Sequence, residues 1–179
     1  MSDPLVGTLI NGKFRVIEAI GQGGMGSVYR AEQLPLGRIV AVKVLRTKAG
    51  VSDVDPAFQR RFFLEASLCA KLSHANVVTI YDSGETDDGL PYIVMELLDG
   101  ESLRELLTRG PLPLETVAAL GLQMARGLAR AHDLGVVHRD LKPENIFIVK
   151  TESGEPLLKL VDFGIARSRG DTRLTLAGE

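Results

Sequence analysis

Cysteine is almost absent from this 179-residue chain, with Cys69 standing alone. That excludes an intrachain disulfide and a cysteine-rich zinc site, and it fits a reducing compartment. Neither charge sign dominates: 21 Lys and Arg stand against 23 Asp and Glu, a formal net charge of -2. There is therefore no basic field to hold nucleic acid and no polybasic membrane anchor. No run of about 18 apolar residues occurs, so no segment reads as a membrane span. Met1 to Leu9, which includes Asp3 and Pro4, does not read as a signal peptide. Internal repeats and low-complexity tracts are also missing. What remains, 45% apolar and 25% charged residues, is an ordinary globular composition, long enough for one domain or two small lobes.

Apolar-polar alternation predicts a strand over Lys13 to Ile20, then glycines crowd Gly21 to Gly26. Strands resume over Ser27 to Glu32 and Arg38 to Leu45, separated by the turn Leu34-Pro35-Leu36-Gly37. Asp55-Pro56 starts a helix that reaches Leu72. Val77 to Asp82 and Tyr92 to Leu97 are two further strands around the turn Asp87-Asp88-Gly89. Asp99-Gly100 reads as a hinge, after which the pattern becomes helical. Ser102 and Glu105 form a capping box, and Gly110 ends that short helix. Pro113 to Leu134 reads as a long helix with an apolar stripe at Val117, Leu120, Met124, Leu128 and Ala131, terminated by Gly135. Asn145 to Val149 and Leu157 to Val161 read as a hairpin.

Gly21, Gly23 and Gly26, with Val28 two further on, spell G-x-G-x-x-G. Such glycines let backbone N–H groups approach phosphate oxygens without a Cβ clash. A dinucleotide-binding loop must enter a helix, but here a strand and a Pro-Gly turn follow, and no G-x-x-x-x-G-K-[ST] is present. A tight hairpin that merely needs glycine remains open on this motif alone. Val40-Ala41-Val42-Lys43 places Ala41 and Lys43 on one strand face, and Lys43 by itself is equally an edge charge in water. Phe58, Phe62, Glu65, Cys69 and Leu72 share one helical stripe. A carboxylate inside that stripe is costly unless paired. Lys43 is the expected partner, and the alternative is a Glu65 reaching water from the stripe edge.

His138-Arg139-Asp140-Leu141-Lys142-Pro143-Glu144-Asn145 places a carboxylate and an amide five positions apart in a loop. Asp140 can accept a hydroxyl proton, Asn145 can ligate a divalent ion, and Lys142 can hold a phosphate. Asp162-Phe163-Gly164 then offers a second metal-ligating carboxylate.

In this order and spacing the motifs resemble the protein kinase family, specifically the bacterial serine/threonine kinases similar to the eukaryotic ones. The resemblance runs from about Phe14 to the last residue. It implies an α+β, protein-kinase-like bilobal fold. Residues 1–98 would form an antiparallel β-sheet N-lobe with one helix, and 99–179 an incomplete, mainly helical C-lobe. It also implies cofactors ATP and Mg²⁺, with Mn²⁺ as a substitute. Ile20, Gly21, Gln22, Gly23, Gly24, Met25, Gly26, Ser27 and Val28 would cover the nucleotide, and Ala41 would line it. Lys43, oriented by Glu65, would hold the α- and β-phosphates. Met95 would be the gatekeeper, with the backbone of Glu96 and Leu98 on the adenine edge. Asp162 and Asn145 would hold the metal, Asp140 would take the acceptor proton, and Lys142 would contact the γ-phosphate. Arg139 would pair with a phosphothreonine, Thr172 and Thr175 being candidates.

The implied partners are proteins with serine or threonine acceptors, with dimerisation for autophosphorylation. The implied location is cytoplasmic, with a parent protein that can be membrane-anchored. By the family pattern the chain stops within the activation loop at Glu179, which would leave the long helix short of partners and the 179 residues with little transfer of their own. Two alternatives stand beside an active kinase: a nucleotide-binding remnant or interaction module, and a small-molecule phosphotransferase of kinase-like fold.

Overall fold

The computed structural model describes residues 3–23, 26–45, 56–151 and 154–163. The chain opens with strands β1 (Leu9–Ile10), β2 (Phe14–Gly23), β3 (Gly26–Gln33) and β4 (Arg38–Leu45), each antiparallel to the one before. The glycines are not a loop apart from the strands. They are the ends of β2 and β3, paired Gly23 to Gly26 at the hairpin tip. Gly26 has φ +141°, and a Cβ there would lie 2.1 Å from the Val44 carbonyl oxygen, so only glycine fits this close approach to β4.

Helix α1 (Pro56–Ala70) follows, then β5 (Ile80–Glu85) and β6 (Pro91–Glu96), which complete a six-stranded sheet in the order β1-β2-β3-β4-β6-β5. Strands β4 and β6 are apolar on both faces because both faces are covered. Val40, Val42, Val44, Tyr92 and Val94 join Phe14, Val16 and Tyr29 in one cluster. Ala41, Leu45, Ile93 and Met95 join Phe62 and Ala66 of α1 in another. Lys43 has the parity of Ala41 and Leu45, so period-two alternation aims it at the α1 side rather than at open water.

The second half contains β7 (Gly100–Ser102), α2 (Leu103–Leu107), α3 (Leu114–Asp133), a 3₁₀ turn at Pro143–Asn145, β8 (Ile146–Val149) and β9 (Leu157–Leu160). The last three strands form a sheet in the order β7-β8-β9. The capping box is formed: the Glu105 N–H donates to Ser102 Oγ, and Ser102 N–H donates to Glu105 Oε2 at 2.8 Å. On α3, Leu120 and Ala131 are buried, and Met124 and Leu128 pack against them. Val117, expected on that stripe, is 49% exposed. The first buried residue on α3 is Leu120.

The expected strand at Val77 is also different. Val77 makes a single parallel bridge to Leu160 of the second sheet, and β5 begins only at Ile80. Val78 N–H donates to Leu160 O and Leu160 N–H to Asn76 O, both at 2.9 Å. Cys69, Leu72 and Val77 accordingly sit in one core with Leu120, Ile146, Leu158, Leu160 and Phe163. The segment after α1 thereby joins the two sheets, and the cleft lies between them. Among the described residues no helix is long and apolar enough to cross a membrane.

Candidate active site

A cleft of about 520 Å³ is lined by Gly21, Gln22, Gly23, Gly26, Val28, Lys43, Met95, Asp140, Lys142, Asn145 and Asp162. Its roof is the β2-β3 hairpin, its back wall is β4 and β6, and its floor is the loop before β8 with the residues after β9. Val28 lines it, whereas Ser27 points the other way and is buried. Ile20 is 47% exposed and is not on the cleft wall. Ala41 is buried in the cluster that includes Met95, with Leu98 packed against it. Gly24, Met25, Gly164, Thr172 and Thr175 lie outside the described residues, as does the side chain of Phe58.

Lys43 Nζ meets Asp162 Oδ1 at 2.6 Å, with side-chain exposures of 15% and 37%. Asp162 adopts a left-handed φ of +57°, a costly conformation for a non-glycine residue. Its neighbour compensates: Phe163 is buried against His138, ring centroids 4.6 Å apart, and so anchors the strained turn. His138 Nε2 bonds the Val161 carbonyl at 3.0 Å, which ties the loop before β8 to the residue between β9 and Asp162.

Asp140 is held from two sides. Lys142 Nζ lies 2.9 Å from its Oδ2, and Asn145 Nδ2 donates to the same oxygen at 3.0 Å and to the Asp140 carbonyl at 2.8 Å. These bonds follow from the 3₁₀ turn, which brings Asn145 back under Asp140. They use the amide nitrogen and orient the amide oxygen away from Asp140.

Glu65 departs from expectation. Its carboxylate pairs with Arg139 Nη1 at 2.6 Å, while Lys43 pairs with Asp162. Arg139, at φ +60°, reaches from the loop before β8 to α1. The helical stripe places Glu65 toward the second half of the molecule, where a guanidinium is within reach. Periodicity gives the face of a residue, not the depth at which its helix docks. Cys69, one turn on, has its thiol pushed up to about 11 by burial and then by the Glu65 charge, so it is no reactive thiolate.

No cluster of three or more His, Cys, Asp or Glu occurs among the described residues, so nothing here cages a metal with protein ligands alone. The donors present fit a different use. Mg²⁺ typically takes one or two carboxylates and completes its shell with water and phosphate. The Asp162 carboxylate and the Asn145 amide oxygen are hard oxygen donors on the same cleft.

Burial lowers the pKa of His138 from its ordinary value of 6.5, outweighing the backbone bond to Val161 and the charges of Asp140 and Asp162. The folded state thus prefers neutral imidazole. Its contribution to stability is complete above pH 6.5 and is lost as pH falls through the depressed folded value. The expected result is a melting temperature that falls on acidification below pH 6.5, with a His138→Phe variant losing that part of the slope. An unchanged slope would show that His138 does not titrate in this way.

Pattern reading passed over Lys159. Its signal is a single lysine inside the apolar run Leu157–Leu160, the same kind of signal that singled out Lys43.

A family model for the protein kinase domain matches residues 14–175. The chain is 47% identical over 163 residues to serine/threonine-protein kinase pkn2 of Myxococcus xanthus, covering 89% of this chain and 19% of that protein. It is 41% identical over 172 residues to PrkC of Bacillus subtilis, covering 96% and 25%. The chain therefore spans about a fifth to a quarter of these relatives. The crystal structure of the Mycobacterium tuberculosis PknI kinase domain superposes with a TM-score of 0.77 at 31% identity, covering 90% of this chain and 61% of that one. A curled antiparallel sheet with one helix, a second sheet with few helices and a cleft between them is the same fold in outline. Sequence match and architecture agree, and the chain belongs to the protein kinase domain family, whose members use ATP and a divalent metal.

Proposed function

We propose that this chain carries the catalytic cleft of a serine/threonine protein kinase, which transfers the γ-phosphate of ATP to hydroxyls of protein substrates. The observation behind it is the convergence of Lys43 and Asp162 at 2.6 Å with Asp140 bonded by Lys142 and Asn145, on the back wall and floor of one cleft beneath a glycine hairpin. In this reading residues 1–98 form the N-lobe and 99–179 the C-lobe portion. The N–H groups of Gly21 to Gly26 and the Lys43 ammonium bind and orient the phosphates. Asp162 and Asn145 hold Mg²⁺, which when bound offsets the charge of the phosphate oxygens. Asp140 accepts the proton of the acceptor hydroxyl, and Lys142 sits beside it as the phosphate contact. Phosphoryl transfer asks a protein chiefly for position and charge, and this cleft offers both. A cytosolic location and pairing of two copies for autophosphorylation go with this reading.

A second reading, nucleotide binding without transfer, is favoured by the Glu65–Arg139 pair. In that arrangement Glu65 does not orient Lys43. Incubation with radiolabelled Mg-ATP and a generic basic protein separates the two. Transfer to serine or threonine that vanishes in Lys43→Met supports the kinase. Metal-dependent ATP binding with no labelled product supports the second reading, and absence of ATP binding defeats both.

A further inference from the structure

Glu96 ends β6 and Lys159 lies in β9, so they belong to the two different sheets that flank the cleft. Lys159 Nζ meets Glu96 Oε1 at 2.6 Å, with side-chain exposures of 12% and 21%. That is more enclosed than the Lys43–Asp162 pair. The same Oε1 accepts the Thr79 N–H at 2.7 Å, and the Glu96 N–H donates to the Thr79 carbonyl at 3.0 Å. Glu96 is thus bonded on one side to the segment entering β5 and on the other to the second sheet. Lys159 adjoins Leu160, which bonds Asn76 and Val78, and it precedes Asp162 by three residues (162 minus 159). Neither side chain lines the cleft. An exposed ion pair at such a place would do little, but this one is mostly withdrawn from water and shares its acceptor with a backbone amide.

We infer that the Glu96–Lys159 pair is a positioning device that fixes the angle between the two sheets and thereby sets nucleotide affinity. The inference rests on the reading of the cleft as a nucleotide site. The direction follows from the cleft itself. Its volume of about 520 Å³ falls within the range of about 300–1,000 Å³ of small-molecule sites. The pair therefore holds an opening of ligand size. Without it the sheets sample other angles, and the apparent dissociation constant rises as the reciprocal of the competent fraction.

The test is titration of the chain with a fluorescent ATP analogue, with thermal melting followed in parallel. Lys159→Met should weaken binding about tenfold, the result of a competent fraction near a tenth. Lys159→Arg, which keeps the cation, should stay within about twofold of wild type. The double variant Glu96→Gln/Lys159→Met leaves no uncompensated charge and keeps an amide oxygen for Thr79. It covers the case in which Lys159→Met fails to fold, and it should also weaken binding about tenfold. A folded double variant with wild-type or tighter affinity overturns the inference, as does Lys159→Arg binding as weakly as Lys159→Met. If the wild-type chain binds no nucleotide, the nucleotide reading itself falls.

Discussion

Replacement of Asp140 by asparagine is expected to lower the turnover of phosphoryl transfer by about 10²–10⁴-fold, or roughly 3–5 kcal/mol, the usual contribution of a general base. Asparagine keeps the shape and can still accept from Asn145, but it cannot take a proton. The carboxylate is held by Lys142 at 2.9 Å and Asn145 at 3.0 Å, so its position is set before substrate arrives. Asp140 makes no ion pair with Lys43, which bonds Asp162 instead. The loss should therefore appear in turnover and not in ATP affinity, the signature of an interaction made in the transition state. Kinetics at varied ATP, together with direct nucleotide binding, read the two apart. Wild-type turnover in Asp140→Asn would remove the proton-acceptor role. Equal losses in turnover and affinity would instead make Asp140 a ground-state contact.

The largest expected effect on stability is at Phe62. Its ring is fully buried, packs edge-on to Phe63 with centroids 5.1 Å apart, and lines the cleft from α1. Phe62→Ala should cost about 3–5 kcal/mol through lost burial and the cavity left behind. For a chain of this size that is a drop of about 6–20 °C in melting temperature. Calorimetry or circular dichroism on the purified variant measures it. The shift should exceed that of an exposed position on the same helix, such as Leu64→Ala, where the side chain is 63% exposed. Equal shifts would mean that α1 is not docked on the sheet as described.

Much of the local structure was legible because it is short-range. β4 spans Arg38–Leu45, the range predicted from its run of Val and Ile after a turn, and the Ser102–Glu105 capping box formed where its four-residue pattern stood. α3 lies within one residue of its predicted ends. The glycine motif was legible as a pattern but less so as geometry, since β2 and β3 run on through Gly23 and Gly26. Strand β7 and the Val77–Leu160 bridge were missed because each depends on a partner from a remote part of the chain. Periodicity puts Val117 on the inward stripe although it is exposed, because the pattern shows which face of a helix is apolar, not how far along it the cover extends.

The same division holds at the site. The sequence by itself marked the groups to which the proposed chemistry is assigned: the glycine hairpin, Lys43, Asp140, Asn145 and Asp162, each distinguished by residue type and spacing along a few residues. It also marked Glu65 as a carboxylate that needs a cation. Only the tertiary structure decided which cation, giving Arg139 to Glu65 and Asp162 to Lys43, and it alone joined Glu96 to Lys159. The physical reason is that charge pairing is settled by distances of a few ångströms between elements far apart in sequence. Those distances are fixed by how helices and sheets dock, which no local pattern encodes.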